Sequence, residues 1–217
     1  MKKRILCYGD SNTWGQVPGI GTRYPEESRW PMVAQKALGD DYVLIEEAIS
    51  GRTTAYDRGH DDYLNGKTAL GYAIKAHRPL DGVILSLGIN DLVEHSLLSS
   101  MRGLEELIRL LQNADAVFRC TVPVFPNGTK ILVLGTPPLH PSIQNASPFD
   151  TPFHGKYEDS LLLAEGDRRI AKKKGVAFLD ATPYVEATEL DYVHFTPESH
   201  VRLGLAVSEK LKELFEA

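Results

Sequence analysis

Cysteine is scarce: Cys7 and Cys120 are the two in 217 residues. A disulfide framework or a thiolate metal cluster needs more, so each reads as a small buried hydrophobe. The seven histidines stand at 60, 77, 95, 140, 154, 194 and 200, and no pair has the i, i+4 spacing with which a helix face offers two ligands to zinc. Neither a metal nor a cofactor is expected. A basic surplus is missing too, because 24 Lys and Arg face 29 Asp and Glu for a formal charge of −5, which leaves no electrostatic footprint for nucleic acid. No apolar run approaches the roughly 20 residues of a membrane span. The basic start Met1-Lys2-Lys3-Arg4 is followed by only four apolar residues before Gly9 and Asp10, whereas a signal core needs roughly 7 to 15. The expectation is a cytoplasmic protein with no nucleic-acid and no membrane partner.

Two common signatures are also absent. No Gly-x-Ser-x-Gly elbow occurs, which excludes the ordinary α/β-hydrolase arrangement. Gly66-Lys67-Thr68 imitates the end of a phosphate loop, but the position five residues earlier is Asp61 rather than glycine.

What the chain does contain is a regular alternation. Short apolar runs at 4–8, 42–45, 82–87, 130–134 and 176–179 are too short for helices and read as buried strands. Helical patterns lie between and after them at 30–38, 64–76, 101–118, 158–174 and 197–215. Strands alternating with helices predict a parallel sheet covered on both faces. The expected fold is α/β, a three-layer α/β/α sandwich with a flavodoxin-like five-stranded parallel sheet, in one domain spanning 1–217. In the closing helix Thr196 is the expected N-cap and Pro197 the first residue. Val201, Leu205, Leu211 and Phe215 are its expected core face, and His200 is expected at the surface. Two connections, 135–157 and 17–29, are long and rich in proline or glycine, as binding walls and lids often are.

Polar residues collect at the ends of these strands, where open α/β sheets place their chemistry. The first strand runs into Tyr8-Gly9-Asp10-Ser11-Asn12-Thr13-Trp14-Gly15, the second is followed by Ser50-Gly51-Arg52-Thr53-Thr54, and the third by Gly88-Ile89-Asn90-Asp91. Each reads equally as a plain turn when taken alone. Near the C-terminus, Asp191 precedes His194 by three residues. That spacing lets a carboxylate oxygen accept a hydrogen bond from the imidazole Nδ1–H while Nε2 faces outward toward a serine.

Together these blocks resemble the SGNH (GDSL-type) serine hydrolases over essentially the whole chain, and most closely their arylesterase and acyltransferase branch. Asn12 departs from that pattern, since the family's name motif has leucine there. The resemblance implies Ser11, Asp191 and His194 as catalytic residues. It also implies an oxyanion hole formed by the N–H groups of Ser11 and Gly51 and the amide of Asn90. Asp10, Asn12, Trp14, Phe153 and Phe195 are the expected substrate-binding residues, with Phe149 beside them in an apolar cleft. The implied function is hydrolysis of short-chain, acetyl-type carboxylic esters, with aryl esters foremost, through an acyl-enzyme, and with transfer to alcohols where water is excluded.

The expected partner is a small-molecule ester, and the branch implies a homo-oligomer, for which the apolar stretch 121–126 is a candidate interface. Two alternatives stand beside this reading. One is a carbohydrate O-acetylesterase using the same residues; the other is a non-catalytic flavodoxin-like module that holds a phosphate at the strand ends.

Overall fold

The computed structural model describes residues 2–216. Its five strands are β1 (Lys3–Gly9), β2 (Tyr42–Ala48), β3 (Gly82–Ser86), β4 (Lys130–Gly135) and β5 (Ala177–Asp180). They pair in parallel in the order β2-β1-β3-β4-β5, the flavodoxin-like order, so β1 lies inside the sheet between β2 and β3. The helices are α1 (Ser11–Trp14), α2 (Trp30–Leu38), α3 (Gly66–His77), α4 (Asp91–Glu94), α5 (Leu97–Gln112), α6 (Ala114–Val117), α7 (Tyr157–Leu161), α8 (Leu163–Lys174) and α9 (Pro197–Glu216).

Side chains alternate across the sheet with the two-residue period of a strand, and both sets are buried. Leu6, Tyr8, Val83, Leu85, Ile131 and Val133 pack under α3, α5 and α8. Ile5, Cys7, Ile84, Leu132 and Leu134 pack under α2 and α9. Apolar faces on both sides of each strand force helices onto both sides, which is the three-layer sandwich read from the sequence. No helix among the described residues is long and apolar enough to cross a membrane.

Five details differ from the sequence reading. The helix expected at 101–118 begins at Leu97 and stops at Gln112, with Asn113 at φ −122° and ψ 27° separating it from α6. The one expected at 158–174 is interrupted at Leu162 between α7 and α8. In α9, Leu203, Val207 and Leu211 are buried while Val201 and Leu205 are exposed. The reason is Gly204, where an added Cβ would come within 2.7 Å of the Trp30 carbonyl. The close approach of α2 and α9 therefore needs glycine at the contact, and this sets the rotation of α9. His200 follows the same face and is fully buried. Its Nδ1 accepts the Trp30 N–H at 3.4 Å, and burial, followed by the charges of His194 and Arg29, pushes its pKa down to about 4. Finally, Val124 is buried in the core while Val122 is exposed, so 121–126 is not one apolar face. The expected cap does form, with the Ser199 N–H donating to Thr196 Oγ1 at 3.2 Å.

The long connection between β4 and α7 is packed. Leu139, Ile143 and Phe153 bury against Ile89, Leu92, Leu163 and Val193 beyond the C-terminal edge of the sheet.

Candidate active site

Ser11 is the first residue of a single helical turn at the end of β1. Asp10 caps that turn from an extended conformation, its Oδ1 accepting the Asn12 N–H at 3.0 Å. Gly15 closes it at φ +85°, a left-handed conformation that favours glycine. Gly9 is required for another reason, since a Cβ there would overlap the Thr13 side chain. The two glycines thus allow a tight turn to leave the strand abruptly, and Ser11 lines the cleft above the sheet edge.

The opposing loop is shaped by Tyr192, which sits at φ +69° and reverses the chain between Asp191 and His194. Asp191 Oδ1 accepts the N–H groups of Val193 at 3.3 Å and His194 at 3.0 Å. Its Oδ2 faces His194 Nδ1 at 2.8 Å and takes the Gly19 N–H at 2.8 Å. Burial by itself would raise this carboxyl. The hydrogen bond and charge of His194, helped by the Gly19 and His194 N–H groups, outweigh it and hold the pKa down at about 2. An ionised Asp191 keeps the ring proton on Nδ1, so Nε2 presents a lone pair to Ser11 Oγ, 2.9 Å away. A proton can pass from hydroxyl to imidazole along this line.

Two backbone donors border Ser11. Among the described residues, neither the Ser11 N–H nor the Gly51 N–H has a protein acceptor, and Gly51 adopts φ +85°. Asn90 is more engaged. Its Nδ2 donates to the Arg52 carbonyl at 3.1 Å and to Asp10 Oδ2 at a long 3.4 Å, while its Oδ1 accepts from Arg58 Nη1 at 3.3 Å.

The loops bearing Gly51 and Asn90 are tied together by Asp91, which takes the Thr54 N–H at 2.9 Å and the Thr54 hydroxyl at 2.6 Å. Arg52, fully buried, donates from Nη1 to the Gly9 and Glu47 carbonyls at 3.2 and 2.7 Å and lies 4.2 Å from the Tyr8 ring centre. Burial raises the Asp10 pKa to about 6 against the opposing Asn12 N–H, His194 and Arg52.

Ser11, Asp191, His194, Gly51, Asn90 and Phe153 line one open cleft of about 650 Å³. The other expected substrate-binding residues lie elsewhere. Asp10, Asn12 and Phe195 are buried behind the nucleophile turn and bond or pack inward. Trp14 lies 5.3 Å from the Arg23 guanidinium, outside the cleft. Phe149 is 96% exposed. In their place Gln16, Ile20, Leu64 and Leu190 complete the wall, with Arg58 at its polar end. No periodicity or motif marks these five in the sequence. Their one common signal is position in the loops next to the Ser11, Gly51 and His194 blocks. Among the described residues no cluster of three or more His, Cys, Asp or Glu could hold a metal.

The model of the GDSL-like lipase/acylhydrolase family matches residues 7–202. Among solved structures, Est24, a carbohydrate acetylesterase from Sinorhizobium meliloti, is 35% identical, with 99% of this chain and 100% of that chain covered and a TM-score of 0.87. The aryl esterase of M. smegmatis is 34% identical over 98% of this chain and 100% of its own, with a TM-score of 0.86. A further carbohydrate acetylesterase family member from S. meliloti is 33% identical over 99% and 100%, with a TM-score of 0.88. No curated protein sequence matches the chain significantly.

Proposed function

The chain belongs to the GDSL-like lipase/acylhydrolase family, and on that premise we propose that it is a serine carboxylic ester hydrolase, carried on one domain, that cleaves short acetyl-type esters of aromatic alcohols. The observation that carries this reading is the line from Asp191 through His194 to Ser11, with contacts of 2.8 and 2.9 Å opening on a cleft bordered by two unclaimed N–H groups.

A serine hydroxyl is a weak nucleophile at neutral pH, so His194 Nε2 takes its proton as Oγ attacks the ester carbonyl carbon. Asp191 keeps the ring oriented and stabilises the imidazolium. Negative charge on the former carbonyl oxygen meets the N–H groups of Ser11 and Gly51, with the Asn90 amide turning its long Asp10 contact toward it. Each such donor is worth about 2.7 to 4 kcal/mol of barrier. Collapse expels the alcohol with the proton that His194 held. Water then gives a proton to His194 and attacks the acyl carbon, and collapse breaks the bond to Ser11 Oγ, which takes that proton back from His194 as the acid leaves. An alcohol that reaches the acyl-enzyme first takes the acyl group instead, and apolar Phe153, Leu64 and Leu190 favour its entry. The reading extends to a homo-oligomer in the cytoplasm, supported for self-association by Ile49, Tyr63 and Tyr72 exposed around one groove.

The second reading, a carbohydrate O-acetylesterase, is favoured by the likeness to Est24 and by the polar Gln16, Ser50 and Arg58 in the cleft. Rates on aryl acetates compared with acetylated xylosides separate the two. The test of the common mechanism is Ser11→Ala on an ester panel. It should keep the fold and lose nearly all turnover, whereas more than about one hundredth of the wild-type kcat would identify another nucleophile.

A further inference from the structure

We propose that Arg58 makes the acyl end of this cleft a subsite for an anion, so that the enzyme prefers esters whose acyl chain ends in a carboxylate, the half-esters of dicarboxylic acids. The proposal rests on the serine esterase reading above and narrows its substrate.

Arg58 is half-buried in the loop between β2 and α3 and lines the same cleft as Ser11. Its Nη1 lies 3.3 Å from Asn90 Oδ1 and 3.5 Å from the Gly51 carbonyl, and a Cβ on Gly51 would come within 2.9 Å of it. The guanidinium therefore rests on the acceptor oxygens of the two residues, Gly51 and Asn90, whose N–H groups are proposed to face the carbonyl oxygen. Its other nitrogens, Nε and Nη2, have no acceptor among the described residues, and no carboxylate lies within ion-pair distance of it there. The neighbouring acids are committed. Asp57 accepts from Asn65 Nδ2 at 2.9 Å, Glu94 takes the Gly59 N–H at 2.7 Å, and Asp191 faces His194. Asp150, across the cleft, is exposed and takes the Ser147 N–H at 3.1 Å.

Direction follows from the chemistry. The leaving oxygen must face His194, which returns its proton, so a cation resting on Gly51 and Asn90 reaches the acyl portion instead. Two open donors on one planar guanidinium match the two oxygens of a carboxylate.

The test compares phenyl hydrogen glutarate with its neutral isostere phenyl isoheptanoate, corrected for spontaneous hydrolysis, with phenyl acetate as reference. Loss of Arg58 also disturbs Asn90, which affects every ester, so the readout is the ratio of the two kcat/KM values. Wild type should favour the glutarate, and added salt should compress that preference. Arg58→Met should lower the ratio about tenfold or more, chiefly through KM, and Arg58→Lys should retain part of it. A ratio unchanged between wild type and Arg58→Met, with phenyl acetate still cleaved, overturns the subsite and leaves the esterase standing. Failure to cleave any of the three overturns both.

Discussion

The Asn12 side-chain amide donates to the Val193 carbonyl at 3.1 Å, across 181 positions of sequence. Its oxygen accepts the Phe195 N–H at 3.3 Å, so one carboxamide grips the backbone on both sides of His194. The residue after the proposed nucleophile thus fastens the nucleophile turn to the histidine loop. Leucine, which the family's name motif has at this place, offers neither bond.

Asn12→Leu should therefore lower kcat/KM by about tenfold to a hundredfold, because small misplacement of a reacting group is costly. It should also destabilise the fold by about 1 to 3 kcal/mol, since the Val193 carbonyl and Phe195 N–H are left buried without partners. Asn12→Asp, which keeps size and the acceptor but loses the donor, should fall between. Steady-state kinetics with thermal melts of the same preparations check this. Wild-type values for Asn12→Leu in both would remove Asn12 from the positioning of His194.

Asp191→Asn should reduce kcat by about three to four orders of magnitude while leaving the fold in place at neutral pH, because the amide favours the wrong imidazole tautomer. The same substitution should alter acid stability. Asp191 has a pKa of about 2 in the folded protein, below its usual 3.8, so its contribution is present above about pH 3.8 and disappears as pH falls toward 2. Melting between pH 5 and 2.5 should fall less steeply in Asp191→Asn than in wild type, and equal slopes would count against the ion pair.

The buried Asp167 has the opposite sign. Its Oδ2 accepts the Thr136 N–H at 2.9 Å and its Oδ1 has no partner. Burial, reinforced by the charges of Asp91 and Asp180, raises its pKa to about 7 against the Thr136 bonds. A raised carboxyl contributes stability that is complete below the unfolded pKa near 3.8 and lost as pH rises through about 7. Asp167→Asn should thus gain stability relative to wild type on going from pH 4.5 to pH 8. Asp10 acts in the same direction in both proteins and cancels in the comparison, while Asp91, whose charge is coupled to that of Asp167, is relieved in the variant and adds to the difference in the same direction. A constant difference across that range would refute the assignment.

Much of the molecule is legible without coordinates. The five strands are readable because each is apolar on both faces, a pattern that only a sheet covered on two sides satisfies, and the intervening helices make it parallel. The local parts of the proposed site are legible too: a serine in a glycine-bracketed turn, and a carboxylate three residues from the imidazole it holds. The Ser11–His194 contact, by contrast, spans 183 positions and is implied only by the family resemblance. The rest depends on contacts that no local pattern encodes. Val201 and Leu205 have the same helical spacing as Leu203, Val207 and Leu211, and only the closeness of α2 at Gly204 decides which stripe is inside. The flanking polar residues Asp10 and Asn12 look like substrate contacts in sequence, yet the sheet edge turns them inward to cap and fasten loops. The layers, the strand ends and the polar residues collected there follow from periodicity and short-range spacing, which the amino-acid order carries without any tertiary contact. The wall of the cleft, from Leu64 to Arg58, and the inward turn of Phe195 were decided by tertiary packing alone, because loops joined to different strands meet only once the sheet has brought their ends to one edge.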